Sequence, residues 1–330
     1  MTAAASHTPV MVAEVLSALA PRPGGEYVDA TFGAGGYARA ILTAAPCRVL
    51  AIDRDPDALA RGRHMLHEWG DRLRLIAGRF GEMERLLAEA GRRSVDGIAF
   101  DLGMASTQVD EAARGFSFRT DGPLDMRMDP SAGATAADLV NTLPEAELAA
   151  IIREFGEERA ARRIARAVVA ARRSAPIRRT LELASLVRSV VPAAPGSVDP
   201  ATRTFQALRI RVNDELGELD RGLVAAERLL APGGRLVVVA YHSLEDRRVK
   251  GFLRARSGTA PAPSRHRPAS SSPGGPAPSF RLLRRGTFKP TAAEVAANPR
   301  ARSARMRAAE RTEAPAWPLP DVAKPRRRAA

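Results

Sequence analysis

Cysteine is almost absent from this sequence, because Cys47 is its single cysteine in 330 residues. One cysteine excludes a framework of internal disulfides and a zinc cluster built on several thiolates. Long apolar runs are also missing, and the amino terminus lacks the basic-then-apolar pattern of a signal peptide. We therefore expect a soluble, cytoplasmic protein that neither spans nor binds a membrane.

Histidine is scarce as well, and acidic residues are outnumbered by basic ones. Of the five histidines, His64 and His67 share a helix face, but no further ligand group accompanies them, so we expect no metal site. The 37 Asp and Glu residues face 51 Lys and Arg residues, which gives a formal net charge of +14. An arginine surplus suits phosphate contacts and points to a polyanionic partner, although an arginine-rich proteome produces the same surplus.

The most informative stretch is residues 27–42, where a short apolar strand leads into a glycine turn and an alanine-rich helix. Gly33, Gly35 and Gly36 allow a sharp turn and the close approach of a ligand. The following helix N-terminus offers unpaired N–H groups to a polar or anionic ligand. The spacing Gly33-x-Gly35-x-x-Ala38 fits the dinucleotide fingerprint, but such a turn can also be no more than a turn.

A second strand, at residues 48–53, ends in Asp53, 20 positions after Gly33. An acid at this spacing holds the ribose hydroxyls of an adenosine in βαβ nucleotide-binding units. The alternative role, capping of the next helix, is better filled by Asp55. Glycines and acid together predict an adenosine site. They leave open whether the ligand is a dinucleotide or S-adenosylmethionine.

Further strands alternate with helices along the chain. We predict parallel strands at residues 26–29, 48–53, 73–80, 95–102 and 235–240, closed by an antiparallel pair at 280–288 and 304–312. The alternation predicts right-handed crossovers and hence an α/β fold with a doubly wound, mostly parallel sheet. Phe80 and Asp101 then lie at strand ends, where ligands bind in such sheets. Phe80 could stack on an adenine. The closing pair matches a class I methyltransferase better than a nicotinamide dehydrogenase.

A long segment interrupts the pattern after residue 108. Residues 108–130 read as a loop, with helices predicted at 136–141, 144–155, 157–173 and 180–191, followed by one long helix over 202–230. Loops of this length are usually functional. We predict a core of residues 1–108 and 201–313, a helical insertion at 109–200 that binds RNA, a flexible linker at 257–279 and a disordered basic tail at 314–330.

The chain resembles the bacterial 16S ribosomal RNA cytosine-N4-methyltransferase family nearly from end to end. The matching blocks are His-Thr-Pro-Val at 7–10, Asp-Ala-Thr-Phe-Gly-Ala-Gly-Gly at 29–36, Ala-Ile-Asp-Arg-Asp at 51–55, Asp-Leu-Gly at 101–103, Arg-Gly-Phe-Ser-Phe at 114–118, Gly-Pro-Leu-Asp-Met-Arg-Met at 122–128, Gly-Glu-Glu-Arg at 156–159, Thr-Arg-Thr-Phe-Gln-Ala-Leu-Arg-Ile at 202–210, His-Ser-Leu-Glu-Asp-Arg at 242–247 and Asn-Pro-Arg-Ala-Arg at 298–302. So many blocks in the same order make the resemblance specific.

The resemblance implies that S-adenosylmethionine is the cofactor and that the substrate is 16S ribosomal RNA in the small ribosomal subunit. The residues it assigns to the cofactor are Gly35, Gly36, Tyr37, Asp53, Phe80, Asp101 and Gln108. Two departures stand out: the family usually has histidine at Tyr37, and Asp-Leu-Gly-Val-Ser-Ser where this chain has Asp-Leu-Gly-Met-Ala-Ser at 101–106. Tyr37 would act through its backbone N–H, so the cofactor site survives. Ala105 removes a hydroxyl whose role is therefore in doubt.

The chemistry expected of the family is methyl transfer to the exocyclic amine of a cytosine in the decoding region. Acceptors around the amine protons would help it attack, and the base must first leave its stack. We expect the rim of the base pocket to consist of Asp101, Asn213, His242 and Ser243, although His242 can equally be a structural histidine. A homodimer is one candidate assembly. A nicotinamide-dependent oxidoreductase and a non-catalytic RNA-binding assembly factor are the competing hypotheses.

Overall fold

The computed structural model describes residues 9–192, 196, 198–259 and 276–318 of the chain. Its strands are β1 (Glu26–Asp29), β2 (Arg48–Asp53), β3 (Leu73–Ala77), β4 (Val95–Asp101), β5 (Leu230–Ala240), β6 (Phe280–Leu282) and β7 (Arg305–Arg311). Within the described residues they form one sheet in the order β3-β2-β1-β4-β5-β7-β6. Strands β1 to β5 run parallel, and β7 runs antiparallel to both β5 and β6. The predicted α/β class, with its closing antiparallel pair, is confirmed.

Helices connect the strands and also build the insertion. They are α1 (Val12–Leu19), α2 (Gly36–Ala44), α3 (Pro56–Trp69), α4 (Met83–Glu89), α5 (Ser106–Asp110), α6 (Ala136–Thr142), α7 (Glu145–Gly156), α8 (Ala161–Arg172), α9 (Thr180–Val190), α10 (Ala201–Asn213), α11 (Glu215–Leu229), α12 (Ser243–Arg256) and α13 (Ala292–Ala297). Among the described residues, no helix combines the length and the apolarity needed to cross a bilayer.

The chain order places a crevice in the middle of the sheet. Strand β1 pairs with β2 on one side and with β4 on the other, so the connections leave β1 and β4 in opposite directions. Helices on the two faces diverge at such a point, which is where open α/β sheets bind ligands. The glycine turn after β1 opens directly into this crevice.

Both faces of the sheet are buried, as the alternation along β5 shows. Val237 and Val239 pack into one cluster with residues of α1, α2 and α3. Leu236 and Val238 point the other way, into a cluster with residues of α4, α11 and α12. Successive strand side chains face opposite sides, so a strand covered on both sides reads as a continuous apolar run.

The insertion has a hydrophobic cluster of its own, which joins the loop at Phe116 to α6, α7, α8 and α9. The same cluster takes in Ala201, Phe205 and Leu208 of α10. Helix α10 therefore packs with the insertion, whereas the boundary predicted at residue 200 assigned it to the core. The division into a core and an insertion stays a prediction, but α10 is grouped with the insertion and not with the core.

The single long helix predicted over 202–230 is wrong. It is two helices, α10 and α11, separated by Asp214 at φ +52°. An Asp in the left-handed region is uncommon but far more acceptable than most residues, and it ends α10 without a glycine or proline. The apolar periodicity continues across the break, which is why the pattern alone suggested one helix.

Several smaller boundaries also differ from prediction. Strand β3 ends at Ala77, and Phe80 instead begins a 3₁₀ turn. The strand predicted over 280–288 shrinks to β6, with Phe288 returning to the sheet through one bridge to Met306. Part of the linker predicted at 257–279 lies outside the described residues.

The tail predicted from residue 314 does not begin where expected. The backbone N–H of Trp317 donates to Oε1 of Glu227 at 3.1 Å, and its indole N–H donates to the carbonyl of Ala277 at 2.9 Å. Arg256 lies over the indole ring. Because Glu227 is fully buried on α11, these contacts attach residues up to Trp317 to the core. Residues 319–330 of the predicted tail lie outside the described residues.

Candidate active site

A pocket of about 730 Å³ opens at the carboxyl ends of the central strands, between the sheet and the insertion. The sheet side contributes the glycine turn, Asp53, Asp101 and Tyr241, and the insertion side contributes Phe116 and Phe205. Its size is within the range of small-molecule sites. The pocket therefore has one wall formed by the sheet edge and another formed by the insertion.

The glycine turn forms a cradle in the pocket wall, which Gly33, Ala34 and Gly36 line and Gly35 does not. Gly35 has φ +79°, and a Cβ there would lie 2.5 Å from Sδ of Met65. A Cβ on Gly36 would lie 2.6 Å from the ring of Pro9. Helix α2 begins at Gly36, so the two glycines let the start of the helix pack closely against Met65 and Pro9. This cradle fits the polar amino-acid end of S-adenosylmethionine.

Asp29 holds the turn in shape, a role that the sequence did not reveal. Its fully buried carboxylate accepts from the N–H of Thr31 at 3.2 Å and of Ala38 at 3.0 Å. Burial raises the pKa of Asp29 to about 7, and the nearby Asp101 carboxylate adds to the rise. The end of β1 is thus joined to the start of α2 through one carboxyl group.

Asp53 lies at the end of β2 and lines the pocket, as predicted from its spacing. Its carboxylate accepts from the N–H of Gly33 at 2.7 Å and from the N–H of Asp55 at 2.8 Å. Burial is the main cause that raises its pKa, and these hydrogen bonds oppose the rise. Each oxygen keeps a further lone pair, which a ribose hydroxyl can use.

Asp55 takes the capping role that the sequence assigned to it and does more besides. Its side chain caps α3 through the N–H of Asp57 at 3.0 Å. Its other oxygen accepts from Gln108 at 2.9 Å and from Arg114 at 3.0 Å. Arg114 also donates to the carbonyl of Met128 at 2.9 Å, so one buried guanidinium fastens the insertion loop to the core.

Three other predicted cofactor residues line the same pocket. Phe80 packs edge-to-face on Phe100, with ring centroids 5.4 Å apart, and remains half-buried. The hydroxyl of Tyr37 donates to the carbonyl of Val10 at 2.7 Å, so only its backbone is left for a ligand. The amide of Gln108 is bound at both ends, by Asp55 and by the N–H of Ala105 at 3.2 Å. Direct contact with the cofactor stays a prediction for all three.

Asp101 at the end of β4 forms the centre of the pocket wall. The hydroxyl of Tyr241 donates to Oδ1 of Asp101 at 2.7 Å, and the Asp101 N–H donates to Oγ1 of Thr31 at 2.7 Å. Burial raises the pKa of Asp101 to about 6, while the Tyr241 hydrogen bond acts to lower it. The pKa of Tyr241 itself is raised by burial and by this carboxylate. Asp101 is thus a half-buried acceptor with a pKa of about 6.

Asn213 does not line the pocket, so its predicted place on the base rim is wrong. It is buried, and its Oδ1 accepts from the N–H of Met128 at 2.8 Å. Its Nδ2 donates to the carbonyls of Met126 at 2.7 Å and Arg209 at 3.0 Å. The amide is fully used in fastening the insertion loop to α10.

We expect Asn213→Ala to lower the free energy of unfolding by about 2–4 kcal/mol, because two buried backbone groups lose their partners. Thermal denaturation followed by circular dichroism measures the change. An unchanged melting temperature together with a large loss of methyl transfer would instead return Asn213 to the reacting centre.

Ser243 also lies outside the pocket, contrary to its predicted place on the rim. Its side chain is exposed, and its hydroxyl donates to Glu157 of the insertion, which also accepts from Arg247 at 2.9 Å. As the first residue of α12, Ser243 points away from the residue before it. The two adjacent residues therefore have different roles: His242 lines the pocket, and Ser243 links α12 to the insertion.

A group of charged side chains surrounds His242. Arg209 forms a two-point ion pair with Glu215, at 2.8 Å for both contacts, and Glu245 lies within hydrogen-bonding distance of the α12 N-terminus. Glu215, His242 and Glu245 are close enough to hold a cation in principle. Glu215 is paired with the Arg209 guanidinium, and Glu245 accepts from the N–H groups of Tyr241 and His242, so both carboxylates already have partners in the protein.

Sequence reasoning missed Tyr241, Arg209, Glu215 and Glu245 as pocket residues. Tyr241 and Glu245 adjoin or lie within the block at 242–247, so their proximity to His242 was the available signal. The pairing of Arg209 with Glu215 was hidden, because the two residues lie on either side of the break at Asp214. A continuous helix would not have brought them into this geometry.

The switch-point crevice, the glycine cradle and the acid at the end of β2, on a parallel sheet closed by the antiparallel β7, are typical of a class I S-adenosylmethionine-dependent methyltransferase with a Rossmann-like core. The model of the MraW methylase family matches residues 4–312. The chain therefore belongs to the MraW methylase family, and its cofactor is S-adenosylmethionine. This assignment decides between the two ligands that the sequence pattern left open.

Curated relatives are similar over nearly the whole chain. The protein named ribosomal RNA small subunit methyltransferase H of Paramagnetospirillum magneticum is 61% identical over 311 residues, which cover 94% of this chain and 97% of that protein. The protein of the same name from Rhodospirillum centenum is 63% identical over 317 residues, covering 96% and 95%. A solved putative rRNA methylase from Clostridium thermocellum is 13% identical with a TM-score of 0.41, covering 91% and 94%.

Proposed function

We propose that this protein methylates the exocyclic N4 of a cytosine in the decoding region of 16S ribosomal RNA, acting in the cytoplasm on the small ribosomal subunit. The assignment of an RNA substrate is supported by one observation. Over nearly its full length, the chain is 61–63% identical to proteins named ribosomal RNA small subunit methyltransferase H. The chemistry of the pocket supports an amine as the acceptor of the methyl group.

S-adenosylmethionine supplies a methyl group on a positively charged sulfur, which is a strong electrophile. The chain's task is then to hold the two reactants in line and to exclude water. The part of the cradle that lines the pocket, Gly33 and Gly36, and the Asp53 carboxylate would hold the cofactor. Phe80, in the 3₁₀ turn that follows β3, offers a ring face for the adenine.

We assign Asp101 as the acceptor for the protons of the cytosine amine. The lone pair of a cytosine amine is conjugated with the ring, and an acceptor for its protons frees that lone pair for attack. A carboxylate whose pKa is about 6 is ionised at neutral pH and can still take up the proton that the amine loses. Tyr241 holds the carboxylate in place through its 2.7 Å hydrogen bond.

The insertion side of the pocket suits an unstacked base. Phe116, Phe118 and Phe205 line this side, and the last two meet edge-to-face with centroids 5.1 Å apart. Single-stranded RNA bases are commonly held on aromatic side chains of this kind. A target cytosine would leave its stack and enter between these rings and Asp101.

The test is transfer of tritiated methyl groups to small subunits taken from a strain that lacks the gene. The product is digested to nucleosides and the modified position is mapped. N4-methylcytidine in the decoding region is the expected result. Another methylated nucleoside, or methylation of the large subunit, would contradict the proposal. Binding of subunits without any transfer would favour a non-catalytic assembly factor.

The arginines of α8 are candidates for phosphate contacts outside the pocket. Arg162 and Arg163 are exposed. In contrast, Arg172 donates to the carbonyl of Val140 at 2.7 Å and serves the fold of the insertion. Removing one arginine that binds a phosphate should weaken RNA binding and reduce the slope of its salt dependence by roughly one unit.

We therefore expect Arg162→Ala with Arg163→Ala to raise the Michaelis constant for small subunits and to flatten its salt dependence, with cofactor affinity unchanged. Steady-state kinetics at several salt concentrations measure both effects. The matched control is Arg48→Ala with Arg93→Ala, which removes the same charge near the amino ends of β2 and β4. Equal behaviour of the two double variants would show that the α8 arginines are only a solvated helix face.

A further inference from the structure

His242 is the N-cap residue of α12, and this role sets its tautomer. Its Nδ1 accepts from the backbone N–H of Glu245 at 3.4 Å, in a capping box completed by the Glu245 carboxylate. A ring nitrogen that accepts a hydrogen bond carries no proton. The neutral imidazole therefore carries its proton on Nε2, and Nε2 is a donor.

This Nε2–H donor is buried and has no acceptor among the described residues. It lies 3.1 Å from Oε1 of Glu245, but the N–H does not point along that line. The other Glu245 oxygen accepts from the N–H groups of Tyr241 at 2.8 Å and His242 at 3.2 Å, while Glu215 is held by Arg209.

An unpaired buried donor is costly, and native proteins retain very few of them. His242 lines the same pocket as Asp101. The two residues are also linked through Tyr241, which precedes His242 in the chain and donates to Asp101. A base whose amine meets Asp101 would therefore bring the neighbouring atoms of its Watson–Crick edge towards His242.

We propose that the Nε2–H of His242 donates a hydrogen bond to N3 of the target base and thereby selects cytosine over uracil. This inference rests on the proposed function and adds the group that reads the base. Cytosine presents a donor at its amine and an acceptor at N3, which complement the Asp101 carboxylate and the His242 N–H. Uracil presents an acceptor and then a donor, so both contacts would be mismatched.

Two substitutions separate base reading from helix capping. In His242→Asn the amide oxygen reproduces Nδ1 and keeps the cap, because asparagine is a favoured N-cap residue, but no donor reaches the Nε2 position. In His242→Gln the longer side chain carries its NH₂ group to about the Nε2 position and loses the cap. The Asn variant thus keeps the helix cap, and the Gln variant keeps the hydrogen-bond donor.

We expect His242→Asn to fold with unchanged affinity for S-adenosylhomocysteine and to lose roughly tenfold to hundredfold in kcat/KM for small subunits. His242→Gln should retain activity to within a few-fold despite a lower melting temperature. The reverse order, with the Asn variant active and the Gln variant impaired, would show that His242 only caps α12 and would overturn the inference.

The same assay keeps this inference apart from the proposed function. Nucleoside analysis of the wild-type product tests the cytosine assignment, whereas the order of the two variants tests His242. Nitrogen-15 spectra of the free protein supply an independent check, since the two imidazole tautomers have different chemical shifts. We expect a protonated Nε2 and an unprotonated Nδ1. A proton on Nδ1 would remove the donor on which the inference depends.

Discussion

Asp101→Asn should lower the rate of methyl transfer by about 10²–10⁴-fold, the range typical of a lost general base. Asparagine has nearly the same shape and can still accept from the Tyr241 hydroxyl, so the pocket wall should keep its structure. It carries no negative charge and cannot take up a proton from the cytosine amine. Single-turnover transfer to small subunits measures the chemical step without contributions from product release.

The pH dependence provides a second readout of the same group. The carboxylate acts in its ionised form, so the wild-type rate should fall as the pH drops through the Asp101 pKa of about 6. Asp29, with a pKa of about 7, also titrates in this range but lies behind the turn. If Asp101 is the acceptor, the Asn variant should lack the low-pH fall that belongs to it.

The matched control is Asp71→Asn, which removes one carboxylate from an exposed turn after α3. It should behave as wild type in rate and in pH dependence. A similar rate loss in both variants would point to net charge and not to the pocket. A normal rate in Asp101→Asn would move the acceptor elsewhere.

Asp53→Ala should weaken binding of S-adenosylmethionine by about 1.5–3 kcal/mol, as expected for the removal of charge-assisted hydrogen bonds to ribose hydroxyls. This corresponds to roughly 10- to 150-fold in the dissociation constant. Isothermal titration calorimetry with S-adenosylhomocysteine measures the change directly. An unchanged affinity in a folded variant would remove Asp53 from the site.

The contacts of Asp53 call for a second variant beside it. Its carboxylate also accepts from the N–H groups of Gly33 and Asp55, so alanine would loosen the glycine turn as well. Asp53→Asn keeps an acceptor in place but loses the charge. We expect this variant to bind the cofactor with an affinity between that of wild type and Asp53→Ala, and to melt closer to wild type.

The glycine turn and Asp53 could be predicted from sequence because their requirements are local. A turn with positive φ at Gly33 and Gly35 needs glycine for steric reasons, and the 20-residue spacing is the length of one βα unit. The same holds for Asp101, which follows directly from a buried apolar strand. Residues at strand ends of a parallel sheet must meet at one edge.

The side chains of Asn213 and Ser243 could not be located from the sequence, because the motifs that contain them do not say towards which part of the protein each side chain points. Asn213 is the last residue of α10, directly before the left-handed Asp214, and its amide faces the insertion loop. Ser243 follows a pocket residue by one position, but α12 begins there, and its hydroxyl meets Glu157 of the insertion outside the pocket.

By itself, the sequence determined the sheet, the cofactor cradle and the order of elements, since burial and backbone sterics act over a few residues. Only the tertiary structure decided which polar groups share the pocket. In the folded protein, Tyr241 donates to Asp101, and Arg209 forms an ion pair with Glu215 across a helix break. The Nε2–H of His242 has no acceptor among the described residues. Hydrogen bonds between segments distant in the chain depend on atomic positions to within a few tenths of an ångström, which residue patterns do not encode.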